Sequence, residues 1–314
     1  KNHPEIVEST NEDGSVDNMK LLYWDFRFSN VCDLKCRTCD PEHSSTWGEE
    51  ALRTTPEKMQ GKTAIRQGSS QKILDELEQN NHYDIVESVY FAGGEPLVSK
   101  EHYTILENLD RHGRNDIQIW YNTNFQNLYF KKTPVWEHWK KFSNIRLQVS
   151  IDGLGERGEY IRKGFNTEKF EKNLEEVRKE APHIKMAASV TISFLNAFHI
   201  FDLFYELIHK YKIDSDLINI NFVFWPEYFS VVHLTDKMKE DWKLKYEQEI
   251  HKFDGEEYTN IRNILEQIKN FIFSAKSDKD TLEKFKAYTK FYDAVRNENL
   301  VDIFPEFSEL FRLI

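Results

Sequence analysis

The chain has 314 residues, a formal net charge of −11, 39% hydrophobic and 30% charged residues, enough to bury the core of one large α/β barrel or of two smaller domains. Neutralising phosphates drives nucleic-acid binding, so the acidic balance and the lack of a long basic run argue against nucleic acid as the main partner. No run of about 18 apolar residues exists to span a membrane, and the polar, acidic start over residues 1–20 is neither a signal nor a transit peptide.

In chain order, residues 20–28 read as a first strand, rich in aromatic and apolar side chains. A loop with all three cysteines follows. Ile73, Leu74 and Leu77 have helical spacing within 70–79. Residues 85–91 form a second strand closed by Gly93-Gly94; 102–109 look helical; 117–121 and 145–151 are the third and fourth strands, the latter ending at Asp152-Gly153. A helix over 167–180 carries Phe170, Leu174 and Val177 on one face, with Thr167 as its N-cap. Residues 184–194 are a fifth strand, 200–208 a helix and 216–224 a sixth strand stopped by Pro226. Alternating strands and helices predict βα units and a parallel sheet. Right-handed crossovers curl such a run towards a barrel or open half-barrel, a doubly wound sheet being the alternative. Beyond about Leu234, the stretches 237–252, 256–275 and 282–297 are charged amphipathic helices. The expected division is a polar N-terminal segment (1–19), an α/β unit (20–225) and a helical C-terminal cap (226–314).

The cysteine loop reads Cys32-Asp33-Leu34-Lys35-Cys36-Arg37-Thr38-Cys39, spacing C-x3-C-x2-C. An odd number of Cys packed into eight residues is a poor disulfide framework and suggests ligands in a reducing, cytoplasmic setting. Thiolates suit iron–sulfur clusters or zinc. With no fourth Cys, a [4Fe–4S] cluster here leaves one iron open. His43 offers a Cys3His zinc site instead, and three merely buried thiols are a third reading.

C-x3-C-x2-C just after a first strand resembles the radical S-adenosylmethionine (SAM) superfamily. The resemblance implies a partial (β/α)6 barrel, one [4Fe–4S] cluster on Cys32, Cys36 and Cys39, and SAM chelating the open iron. Thr38 stands where the family usually has an aromatic residue, a position offering backbone contact to adenine. Ala92-Gly93-Gly94-Glu95-Pro96 resembles the family's motif for the methionyl amino group, carried here to Gly93, Gly94 and Glu95. Ser150-Ile151-Asp152-Gly153 resembles its ribose motif; Ser150 and Asp152 would share one strand face. In Tyr160-Ile161-Arg162-Lys163-Gly164, Arg162 would pair with the SAM carboxylate through its planar fork. Thr123-Asn124 is similar to the family's Thr-Asn-Gly, with Phe125 in place of Gly, and Val223 would sit by adenine. These motifs fall at C-terminal strand ends, the face where parallel barrels keep their sites.

The pattern is closest to the SPASM/twitch group, yet no Cys follows Cys39, so an auxiliary cluster on thiolates of this sequence is excluded. Residues 219–234 could form a hairpin like a twitch start. The resemblance implies reductive cleavage of SAM to a 5′-deoxyadenosyl radical, an external electron donor such as flavodoxin, and hydrogen abstraction from a peptide or protein side chain. A small metabolite or nucleotide is the alternative substrate. A non-catalytic zinc- or SAM-binding protein is the alternative to an enzyme.

Overall fold

The computed structural model describes residues 4–312 apart from positions 9, 18, 67 and 69; the first three residues of the polar N-terminal segment lie outside that range. Six strands form one sheet: β1 (Tyr23–Phe26), β2 (Ser88–Phe91), β3 (Gln118–Thr123), β4 (Asn144–Ser150), β5 (Lys185–Ile192) and β6 (Ile218–Phe222). They lie side by side in chain order, every neighbouring pair parallel. A doubly wound sheet would reverse its strand order at a switch point; this one does not, and among the described residues β1 and β6 do not pair. The sheet is therefore an open half-barrel, as the family resemblance implied and as one of the two arrangements that the alternation of elements left open.

Successive strand side chains alternate between faces. One set, including Phe26, Phe91, Ile119, Tyr121, Leu147 and Val149, is buried under the crossover helices: α1 (Ser45–Thr54), α2 (Ser70–Gln79), α3 (Lys100–Arg111), α4 (Gly155–Ile161), α5 (Thr167–Glu180) and α6 (Ile200–His209). On this side His102 stacks edge-on against Phe91, 4.8 Å between centroids, and its Nε2 lies 2.8 Å from the Tyr121 hydroxyl. The other set faces the open lumen.

The strands are shorter than their apolar runs. Ile85 and Val86 belong to a turn that follows residues 82–84, before β2 begins at Ser88. Two helices escaped the hydrophobic pattern. The buried face of α1 includes Ser45, Gly48 and Glu50, and α4 is seven residues with two glycines. Thr167 is not the N-cap of α5. Asn166 is, accepting the Lys169 N–H at 2.7 Å, while Thr167 Oγ1 accepts the Gly155 N–H. The expected hairpin over 219–234 is absent, because beyond β6 the chain turns through two short 3-10 segments and the Phe229 carbonyl accepts the N–H of Phe194. The C-terminal region is helical, with α7 (Asp236–Glu249), α8 (Thr259–Ile272) and α9 (Lys279–Arg296).

Candidate functional site

The loop after β1 is held almost entirely by its backbone. Ser45 Oγ lies 3.2 Å from the Cys32 nitrogen, which donates to it; Ser44 and Thr46 hydroxyls donate to the Leu34 carbonyl at 2.6 and 2.7 Å, and Trp47 Nε1 donates to the Cys36 carbonyl at 2.6 Å. These four side chains open α1, whose N-cap is Ser44. On the loop's other side Lys35 and Arg37 N–H groups donate to the Lys163 and Ile161 carbonyls at 2.9 and 2.7 Å. That short ladder brings Arg162 beside the cysteines. The Ser44–Trp47 cradle was missed in the sequence, although the Ser-Ser-Thr-Trp run just after the cysteines is the signal of a capped helix.

All three cysteines are unbridged and partly buried. Burial pushes each thiol up, Cys39 to about 12; the neighbouring Cys36 thiol adds to the shift at Cys32 and Cys39, and Arg162 opposes it at Cys36. The thiols thus lie within electrostatic reach of one another. Thiols so placed stay protonated until a cationic centre makes them ligands. Among the described residues no group of three His, Cys, Asp or Glu is gathered to hold a single ion. A tetrahedral zinc with Zn–S bonds of about 2.3 Å would draw its thiolates to roughly 3.8 Å apart, whereas a cubane spreads them over separate irons. His43, the fourth zinc ligand considered, has Nδ1 2.9 Å from Asp40 Oδ1.

Beside the loop lies a cavity of about 680 Å³. Of the residues singled out in the sequence, Cys32, Cys39, His43, Ala92, Gly93, Gly94, Thr123, Asn124, Ser150 and Arg162 border it; Cys36, Thr38, Glu95, Asp152 and Val223 do not. Arg27, Tyr90 and Asn122, which sequence reasoning did not select, also border it. Gly94 is fixed by close approach, since a Cβ there would fall 2.2 Å from the Val31 carbonyl oxygen. Gly93 has φ +108°, a conformation that favours glycine.

Glu95 is buried and already committed to the protein. Its oxygens accept the Asn124 N–H and the Thr123 hydroxyl, both at 2.7 Å, and the Leu97 N–H at 3.1 Å. Burial pushes its carboxyl up to about 7, with those donors opposing. Asn124 in turn donates to Asp33 Oδ1 at 2.6 Å, so the β2 and β3 ends and the cysteine loop form one connected unit. Phe125, where the resemblance has Gly, adopts φ +57°, the left-handed conformation glycine would supply.

Asp152 lies past the end of β4, so strand alternation does not put it on Ser150's face. It is buried, accepts the Thr191 N–H at 2.7 Å, and binds Arg162 Nη1 at 2.8 Å. Arg162 Nε is buried with no partner. Burial disfavours this guanidinium's charge, and the Asp152 carboxylate opposes that and holds it charged. A cation bordering the cavity with a spare donor, beside glycine backbone and three thiols, fits a cluster with an anionic small molecule on it. Thr38 is partly exposed, and Val223 is buried with its N–H on the Ile192 carbonyl.

Among the described residues no helix is long and apolar enough to cross a membrane. No curated protein matches the chain. Three similar solved structures are native anSMEcpe with bound AdoMet and Cp18Cys peptide (18% identity, 70% of this chain and 60% of that one, TM-score 0.47), native anSMEcpe with bound AdoMet (17%, 70% and 61%, 0.45), and TYW1 with a lysine-pyruvate adduct bound (14%, 77% and 81%, 0.35). The chain spans about 60% of the length of the anSMEcpe chains. The family model described as the Radical SAM superfamily matches residues 26–193, more than half of the chain and all of the cysteine loop, so this protein belongs to the radical SAM superfamily.

Proposed function

We propose that Cys32, Cys36 and Cys39 hold one [4Fe–4S] cluster, that SAM occupies the adjoining cavity, and that the substrate is a peptide or protein side chain. When bound and reduced, the cluster supplies cleavage of SAM to methionine and a 5′-deoxyadenosyl radical that takes a hydrogen atom from substrate. This chain's residues orient the parts. Gly93 and Gly94 let the backbone approach the methionyl amino group, Arg162 turns Nε and its fork to the carboxylate, and Ser150 reaches the ribose. Asp152 aims Arg162, and Glu95 locks the β2 and β3 ends against each other. Asn124 holds the loop through Asp33. Of the other residues singled out, Thr38 and Val223 are assigned to the adenine end.

The observation that carries the reading is the convergence of two unbridged thiols, Cys32 and Cys39, and an incompletely partnered arginine on one cavity, with the third thiol, Cys36, buried beside that arginine. The peptide class rests on the lumen. Asn122, Gln148, Asn219 and Asn221 face it, each side chain with both a donor and an acceptor, as peptide amides require. The sheet's open side lets a chain pass. A flavodoxin-like donor would supply the electron. The C-terminal helices act as a cap.

The test is anaerobic reconstitution with iron and sulfide, then 5′-deoxyadenosine production under reductant with and without candidate peptides. Stimulation by a peptide, with a matching mass change in it, is the expected result. Deoxyadenosine accumulating equally with and without peptide, but rising with a metabolite, would move the substrate to the small-molecule class.

A further inference from the structure

The lumen-facing side chains of the sheet come in rungs, because the strands run parallel in continuous register. One rung reads Tyr90, Trp120, Arg146 and Lys185 across β2 to β5. It faces the lumen, since Tyr90 borders the cavity and Trp120 and Arg146 precede the cavity residues Asn122 and Ser150 by even steps. Trp120, on a central strand, is 37% exposed. Arg146 sits directly opposite Lys185 on the neighbouring strand. Like charges in that position are destabilising, and among the described residues neither side chain has a hydrogen-bond or ion-pair partner. The acid at the rung's end, Asp25, is tied to Arg27 by bonds of 3.0 and 3.1 Å. In a chain with 53 acidic and 42 basic residues, two adjacent lumen cations without an acid stand out.

We propose that this rung is a substrate subsite in which Arg146 and Lys185 bind a carboxylate of a peptide, an acidic side chain or the chain terminus, while Trp120 and Tyr90 pack against the residue beside it. The assignment rests on the peptide reading above and sharpens it. Arg146 lies four residues below Ser150, about 13 Å along the strand, so the carboxylate would sit a few residues of extended peptide away from the group at the cavity. Arg146 supplies the planar fork and Lys185 the point charge.

The experiment is a titration of the reconstituted holoenzyme, with SAM and without reductant, using N-acetyl-Phe-Glu-Gly amide, its Gln counterpart, acetate and inorganic phosphate. The Glu peptide is expected to bind at least about tenfold more tightly than the Gln peptide, as a hydrogen bond to a charged group implies, with the gap narrowing as salt rises. Arg146→Gln/Lys185→Gln should abolish that preference, Arg146→Lys should keep most of it, and the exposed control Lys169→Gln should keep all of it. Iron content and thermal midpoint report whether each variant is folded. Equal binding of the Glu and Gln peptides, or a preference surviving in the double variant, overturns the subsite. Phosphate displacing the Glu peptide at lower concentration than acetate overturns the carboxylate assignment in favour of a phosphorylated ligand. Binding is read without turnover, so carboxylate selectivity in a protein that makes no deoxyadenosine in the separate assay under reductant sinks the proposed chemistry and leaves the subsite standing. Turnover without selectivity does the reverse.

Discussion

The two sides of the cysteine loop are built on opposite principles. Behind it, charges meet partners. Arg37 is 1% exposed, its Nη2 lies 2.6 Å from both Asp293 Oδ1 and Glu298 Oε2, and its guanidinium sits 3.7 Å over the Tyr160 ring. Tyr160 donates to the same Asp293 at 2.7 Å, and Arg296 pairs with Glu50 at 2.7 Å while stacking over Trp47. The C-terminal helix α9 thereby braces the loop through side chains and through the Tyr288 hydroxyl on the Arg37 carbonyl. In front, on the lumen face, Arg146 and Lys185 stand unpaired. Each buried arginine behind the loop meets a carboxylate, although Arg37 Nε and Nη1 and Arg296 Nη1 have no hydrogen-bond partner; charges so paired favour one geometry, whereas cations without a carboxylate facing an open space suit something that arrives from outside. The first region holds the loop still and the second is built to receive a ligand.

Substitutions can break that contrast. The largest effect is expected behind the loop: Arg37→Gln leaves Asp293 without its cation and Glu298 with Lys163 alone and should destabilise the fold by about 3 kcal/mol, read by denaturant unfolding. A change under about 1 kcal/mol would mean that the brace is weak. Gly94→Ala follows closely, at about 3 kcal/mol, because the atoms its Cβ meets are Val31 and Asn30 backbone that cannot swing aside. Chemical denaturation together with iron retention checks it.

The sheet's outer face predicts a pH dependence. Burial holds His102 down to about 3, below its ordinary value of 6.5, so the unfolded chain takes up a proton first and this site's stability is lost as pH falls from about 6.5 towards 3. The loss is about 2 kcal/mol by pH 5, and His102→Gln should flatten that part of the stability profile. The smallest effect is on the lumen face. Arg146→Gln should change stability by no more than about 0.5 kcal/mol, towards gain as repulsion from Lys185 is relieved. A large loss there would show that Arg146 is structural and would dissolve the contrast.

Local signals in the sequence found the strands, the cysteine spacing and the Gly-Gly-Glu-Pro turn, because each is a short run with one physical cause. What escaped depends on distance or on backbone angle. The partners of Arg37 lie more than 250 residues downstream, and no spacing rule joins them. The contact of Gly153 with Gly158, where a Cβ would fall 2.3 Å from a carbonyl oxygen, reads in sequence as loop glycines. Phe125 looked like a departure from a Thr-Asn-Gly pattern, yet the chain holds it at positive φ and buries its ring against Phe170. For Asp152 the strand period does not apply, because β4 ends two residues earlier, at Ser150.

The central claim is that three thiolates hold a cubane with one corner left for SAM. Anaerobically reconstituted protein should contain about four iron and four sulfide per chain, produce 5′-deoxyadenosine from SAM under dithionite, and lose both in Cys36→Ala. Zinc without iron or sulfide, or a full cluster that leaves SAM intact under reductant, would contradict it.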